Sequence, residues 1–156
     1  MDQLDEDLER AAIHEAGHVV VAVAEGYREK ALLELTNTDN PTEEKIVVGT
    51  CLFGEFGTRT PFNAAIAVAG AVAELLTDDA DADPYQVLEW IELEEDLLSV
   101  TDRKGWPDSR AEQRAAVVAA MEVIRKYQRF HYEVTQQLMK EHVITDGMAA
   151  EMFEAH

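Results

Sequence analysis

Apolar residues recur at helical spacing from the start of the chain. Leu4, Leu8, Ala11 or Ala12, Ala16, Val19 or Val20 and Val23 fall on one face of an α-helix, which predicts a helix over residues 4–25 with Gly26 as its stop. ALLELT (31–36) and KIVVGTCLF (45–53) are β-leaning runs on either side of a polar stretch containing Asn40-Pro41, the pattern of a hairpin or small sheet. Gly54, Gly57 and Pro61 punctuate the chain before a second helix, 61–77, rich in small side chains: Ala64, Ala65, Ala67, Ala69, Gly70, Ala71 and Ala73. Small residues let helix backbones approach closely, so this helix is expected in the core. Val87, Leu88, Ile91 and Leu98 give a stripe that predicts a helix over 84–98 with an acidic wet face. TDRKGWPD (101–108) reads as a loop by its Gly and Pro. Ser109 and Glu112 form an S-x-x-E capping box that opens a long helix to about residue 140, and a last short helix follows Thr145. The expected fold is mainly α with a small β hairpin or sheet, one domain over residues 1–156.

Composition narrows the functions open to such a fold. With 13 Lys+Arg against 32 Asp+Glu, the formal charge is −19. Binding to nucleic acid or to an anionic membrane needs a cationic footprint, so neither partner is expected. The 47% hydrophobic fraction, gathered in blocks, argues for a folded core in spite of the charge. A single cysteine excludes a disulfide framework and a cysteine-based zinc cluster. MDQLDEDLER carries six charges, five of them acidic, unlike a basic signal-peptide start. The longest apolar runs, Val19 to Ala24 and Ile66 to Ala73, are far shorter than the roughly 20 residues of a bilayer span. A cytoplasmic location is the expectation.

His14-Glu15-Ala16-Gly17-His18 carries the chemistry. Residues i and i+4 of a helix lie one above the other, so the two imidazoles can bind one metal from the same face. Glu15 is badly placed to share that bond but can reach a metal-bound water as general base, the division of labour in zinc peptidases. Two neutral imidazoles and one oxygen ligand would leave a fourth position open, as in catalytic zinc sites. Gly17 costs about 1 kcal/mol relative to Ala in a helix interior and calls for a packing reason. Close approach of the Ala-rich helix near Gly70 would supply one.

AAIHEAGHVVVA (11–22) resembles the active-site helix of the FtsH-type ATP-dependent zinc metalloproteases, and VAGAVAELL (68–76) resembles the glycine–alanine–Glu segment that follows it in that family. KIVVGTCLF stands in the place of the family's substrate-side strand, and the HVITDGMAAEMF ending resembles its C-terminal helical region. The resemblance implies a zinc-peptidase-like helical domain and Zn(2+) as cofactor. Three departures go with it. There is no Walker A motif or ATPase domain, residues 70–71 read Gly-Ala where the family has Gly-Arg, and the acidic stretch 78–100 looks like an insertion. The resemblance therefore implies a stand-alone peptidase domain acting on unfolded protein or peptide, or on substrate delivered by a separate ATPase.

By the same resemblance the third metal ligand is an Asp near the start of the helix after the Glu segment. Asp96, Asp102 and Asp108 are the candidates. Asp102, in SVTDRKGW, looks most like the family's pattern. Asp108 also reads as a helix-start acid, and Asp96 as a wet-face acid. Glu74, a lone acid in an apolar helix, is read as an acceptor orienting His14 or His18, as a direct ligand, or as a solvated helix-end residue.

The remaining candidates are read as structural. His131 and His142 have no carboxylate at ligand spacing and are expected at the surface or an interface, and C-terminal His156 is expected to be unordered. Cys51 reads as a buried small hydrophobe, and Trp90 and Trp106 as packing residues, with Trp106 near enough to Asp102 to wall the site. The leading expectation is a zinc-dependent peptidase-like hydrolase with His14, His18 and Asp102 as ligands and Glu15 as general base. The alternatives are a non-catalytic metal- or partner-binding module on the same fold, and hydrolysis of a non-peptide amide. Oligomerisation is compatible with either.

Overall fold

The computed structural model describes residues 3–26, 29–35, 47–53 and 61–156. The chain is mainly helical. Helix α1 (Gln3–Ala24) carries Asp5 and Glu6 in its first turn, where negative charge offsets the helix dipole. It stops at Gly26, whose φ of +95° is a left-handed conformation that side chains resist. Strands β1 (Glu29–Leu35) and β2 (Val47–Phe53) pair antiparallel, with Glu29 opposite Phe53 and Leu35 opposite Val47. The two-residue strand β3 (Val143–Ile144) pairs with the other edge of β1, giving the order β2-β1-β3. The polar segment containing Asn40-Pro41, together with Gly54 and Gly57, lies outside the described residues, as does the side chain of Cys51.

Helix α2 (Pro61–Asp78) begins on a proline, which suits a first-turn position that has no helical N–H bond to make. It runs antiparallel to α1, because Arg10 meets Glu74 and Asp78 while His18 meets Ile66. α2 is buried continuously from Ala64 to Leu76, as its small side chains predict. Gly17 owes its place to this contact. A Cβ on residue 17 would lie 2.6 Å from the Ala69 carbonyl oxygen and 2.8 Å from the Ala73 Cβ.

Three expectations need correction. Helix α3 (Pro84–Leu93) ends five residues early, and a single 3-10 turn (Glu95–Leu97) follows. Its buried face, Val87, Leu88 and Ile91, would continue through Glu94 and Glu95, and burying two carboxylates is costly. Breaking the helix there brings Leu97 and Leu98 onto the core instead. The segment read as a loop contains helix α4 (Val100–Gly105), capped by Ser99. The long helix is two, α5 (Arg110–Lys126) and α6 (Gln128–Glu141), parted at Tyr127 with φ −113° and ψ 39°. The buried residues of α5 are Ala116, Val117, Ala120, Met121 and Ile124, and those of α6 are Phe130, Val134, Thr135 and Leu138. The break lets the second helix turn toward a different neighbour.

The two stripes serve two clusters. One joins α2, α3 and α5, and the other joins Ala12, Ala16, Val19, Val20 and Val23 of α1 to Phe130, Val134, Leu138, Ile144 and Ala149. The last of these belongs to α7 (Asp146–Glu154), capped by Thr145 as its position predicts. α1 therefore lies between α2 and α6 and is buried continuously from Glu15 to Val23. His131 bridges this gap by donating from Nε2 to the Ile13 carbonyl at 3.1 Å, and burial pushes its pKa down. His142 closes α6 at φ +61°. His156 lies with its ring near Phe130 and Nε2 2.8 Å from Glu133 Oε2.

The α1–α2 contact generates the first prediction. Gly17→Ala is expected to destabilise the fold by about 1–3 kcal/mol, because the added methyl meets backbone and cannot be relieved by a rotamer change. The shift in urea midpoint, at unchanged slope, measures it.

Candidate metal centre

α1 presents His14 and His18 one turn apart on the face turned to α2, with the rings edge-on at 73°. Each ring is held by its Nδ1. His18 Nδ1 stands 2.7 Å from the Ile66 carbonyl oxygen. A carbonyl only accepts, so Nδ1 carries the proton and, in the neutral ring, Nε2 is a lone pair. His14 Nδ1 stands 2.7 Å from Glu74 Oε2 and donates to that carboxylate. The His14 ring occupies space left by Gly70, since a Cβ there would lie 2.5 Å from its Nε2 and Cδ2.

Asp102 is delivered by α4. Ser99 Oγ accepts from the Asp102 N–H at 3.0 Å, and Asp102 Oδ2 accepts from the Ser99 N–H at 3.1 Å, a reciprocal capping box. The same carboxylate puts Oδ2 3.1 Å from His14 Nε2 and Oδ1 3.2 Å from His18 Nε2. The two Nε2 atoms are themselves 3.2 Å apart. Three electron-pair donors thus surround one point. Tetrahedral zinc with bonds of about 2.0–2.1 Å holds its ligand atoms roughly 3.3 Å apart, so this triangle has the size of one face of such a site.

Charge points the same way. Glu15, Glu74 and Asp102 are 6%, 8% and 7% exposed, and the Arg10 guanidinium lies 3.2 Å from Glu74 Oε1. Ionised, these four groups leave two negative charges uncompensated, which a divalent cation would balance. Without one, protons are drawn in. Burial opposes charge on His14, but hydrogen bonds to Asp102 and Glu74 outweigh it and its pKa is pushed up to about 10. Burial likewise opposes charge on His18, and attraction to Asp102 raises its pKa all the same. Burial works against the Asp102 anion, yet the two imidazoles hold its carboxyl well below the usual range. Glu15 is raised, chiefly by burial, and its Oε2 is a buried oxygen with no hydrogen-bond partner among the described residues. A carboxylate oxygen kept dry and unpaired beside two imidazoles suits a proton acceptor better than a structural group.

Of the residues singled out in the sequence, the structure brings together His14, His18 and Asp102, the three that could share a metal ion. Asp108 is exposed, one residue ahead of the α5 cap Ser109, and Asp96 is exposed in the 3-10 turn. Glu74 takes the far nitrogen of His14, away from the Nε2 atoms, and does not join the triangle. Trp106 is half-buried against the core. Sequence reasoning missed Ser99 and Arg10. Ser99-x-x-Asp102 is a capping box in plain view, and Arg10 lies one helical turn before His14. No protein-family model and no curated protein matches the chain.

Two predictions follow from this geometry. His14→Ala, His18→Ala or Asp102→Ala is each expected to remove tight zinc binding, whereas Asp108→Ala costs about 0.3–1 kcal/mol at the helix start and leaves zinc affinity unchanged. Titration against a chelating dye reads all four. For protein stripped of metal, the raised His14 pKa contributes stability that is complete below pH 6.5 and is lost as pH rises through about 10. Melting temperature in chelator should therefore fall across that window, and added zinc should restore it by binding the folded state.

Proposed function

We propose that this chain is a zinc-dependent peptidase-like hydrolase. The observation that carries the reading is the convergence of His14 Nε2, His18 Nε2 and Asp102 on one point, beside a buried Glu15 oxygen with no hydrogen-bond partner among the described residues. When bound, zinc supplies a Lewis acid that polarises a carbonyl and brings the pKa of water to about 7.

The protein's own groups then divide the work. Ile66 and Glu74 fix the imidazoles by their Nδ1 protons, and Ser99 fixes Asp102. Glu15, with its pKa raised by burial, takes the proton of the attacking water at Oε2 and returns it to the leaving amine. β2 packs against α1 and forms an edge of the described sheet. An extended peptide adding to that edge would lie alongside the helix that carries the histidines. The substrate class is accordingly an unfolded protein segment or peptide, and a separate ATPase would be the partner that presents folded substrates. No helix among the described residues is long and apolar enough to cross a membrane.

Glu15→Gln tests the reading. Hydrolysis of a quenched peptide or of unfolded casein is expected to fall by about 10²–10⁴, with zinc content unchanged, because the amide keeps the shape but cannot accept the proton. Full activity in this variant would remove Glu15 from the chemistry.

A further inference from the structure

The two helices that make the site meet in a ladder with a step of four residues on each side. Ile66, Gly70, Glu74 and Asp78 of α2 face His18, His14 and Arg10 of α1 in antiparallel order. The rungs are a carbonyl on His18, a vacant Cβ position filled by the His14 ring, a carboxylate shared by His14 and Arg10, and a second carboxylate on Arg10. The ring nitrogens are thus anchored differently. His18 depends on backbone, which no side-chain substitution removes, whereas His14 depends on the single side chain of Glu74.

Glu74 has both oxygens engaged. Oε2 accepts from His14 Nδ1 at 2.7 Å, and Oε1 accepts from Arg10 at 3.2 Å. Its neighbours Ala71, Val72, Ala73, Leu75 and Leu76 are all buried, so the carboxylate sits on an otherwise apolar stretch of helix. Arg10 reaches on to Asp78, 3.3 Å away, and is itself about half exposed at the mouth of a cleft lined by Glu6, Glu9, Ile13 and Thr77. A carboxylate engaged at both oxygens has less rotational freedom than a free one, and so has the ring it holds.

We infer that Arg10 and Glu74 form a positioning relay for His14, in which Arg10 anchors the carboxylate that fixes the ring and its tautomer, so that the relay sets how tightly the centre holds a divalent metal. This rests on the metal reading above, in which Glu74 already holds the His14 ring, and adds to it Arg10, which touches neither metal nor substrate. Such outer partners of a ligating imidazole are commonly worth 10–100-fold in metal affinity. The relay also predicts a sign. Arg10 acting only as a distant positive charge would weaken binding of a dication, so its loss would tighten zinc. Arg10 acting as the anchor of Glu74 strengthens binding, so its loss weakens zinc.

The experiment is zinc titration of the full chain against a chelating dye, with two-dimensional correlation of the ring protons in protein labelled with 15N-histidine. Glu74→Gln keeps shape and is expected to raise the zinc Kd about 10–100-fold. Arg10→Ala, at a half-exposed position, is expected to raise it about two- to fivefold, the range of a partly solvated ion pair. Arg10→Ala should add nothing in the Glu74→Gln background. In the zinc-loaded spectrum one downfield Nδ1–H resonance, that of His14, should move in Glu74→Gln while that of His18 stays. A merely structural role would not separate the two rings. Unchanged zinc affinity and an unmoved His14 resonance in Glu74→Gln overturn the relay while the metal reading stands, and tighter zinc in Arg10→Ala overturns the anchoring role of Arg10. A wild-type chain that takes up no zinc overturns the metal reading and the relay with it.

Discussion

Glycines on both helices set the separation of α1 and α2. The backbone of Gly17 lies against Ala69 and Ala73, and the ring of His14 fills the space beside Gly70. A side chain at 17 would push the helices apart and one at 70 would displace the His14 ring, and the contacts of His14 with Glu74 and of His18 with the Ile66 carbonyl span this gap. The Ala-rich character of α2 belongs to the same constraint. Close backbone approach gives up side-chain burial at those positions, and the loss is offset by the continuous burial of the helix between α1, α3 and α5.

Within that gap the chemistry is governed by desolvation. Carboxylates almost never enter a core unless something compensates them, and here Glu15, Glu74 and Asp102 enter together. Their mutual repulsion is tolerable because the imidazoles between them can bear positive charge, as protons or through a shared cation. The ion pairs of Arg10 extend the compensation toward solvent. Fold stability and the affinity of the centre for positive charge are two readings of one electrostatic arrangement.

What was legible in the sequence tracks how local the determining physics is. HEAGH on an amphipathic helix, the alanines of α2, Gly26 as a stop and Thr145 as a cap act within a few residues, and each is where the pattern placed it. Reading 101–108 as a loop gave weight to Gly105 and Pro107 and overlooked that Ser99 could cap a single helical turn before them. The break at Tyr127 was hidden because each half is a good helix alone. What separates the halves is the partner each packs against, since Ile124 joins one cluster and Phe130 the other. Asp102 was favoured over Asp108 by resemblance, and the triangle it makes with His14 and His18 depends on α4 docking against α2, a long-range event no local pattern encodes. The Ile66 carbonyl has no sequence signal, because any residue could have supplied it.

The capping box of α4 has a consequence for how the protein opens and closes. Asp102 uses one carboxylate both to accept the Ser99 amide and to face the two imidazoles. Opening of this short helix and dispersal of the cluster are therefore one event. A chain segment of six helical residues is too short to persist by itself, so its lifetime is borrowed from the cluster. Whatever occupies the centre also sets the free energy of local unfolding around it. The Ser99 amide, shielded only while Asp102 is in place, then exchanges its hydrogen with solvent at a rate that reports occupancy from outside the coordination sphere.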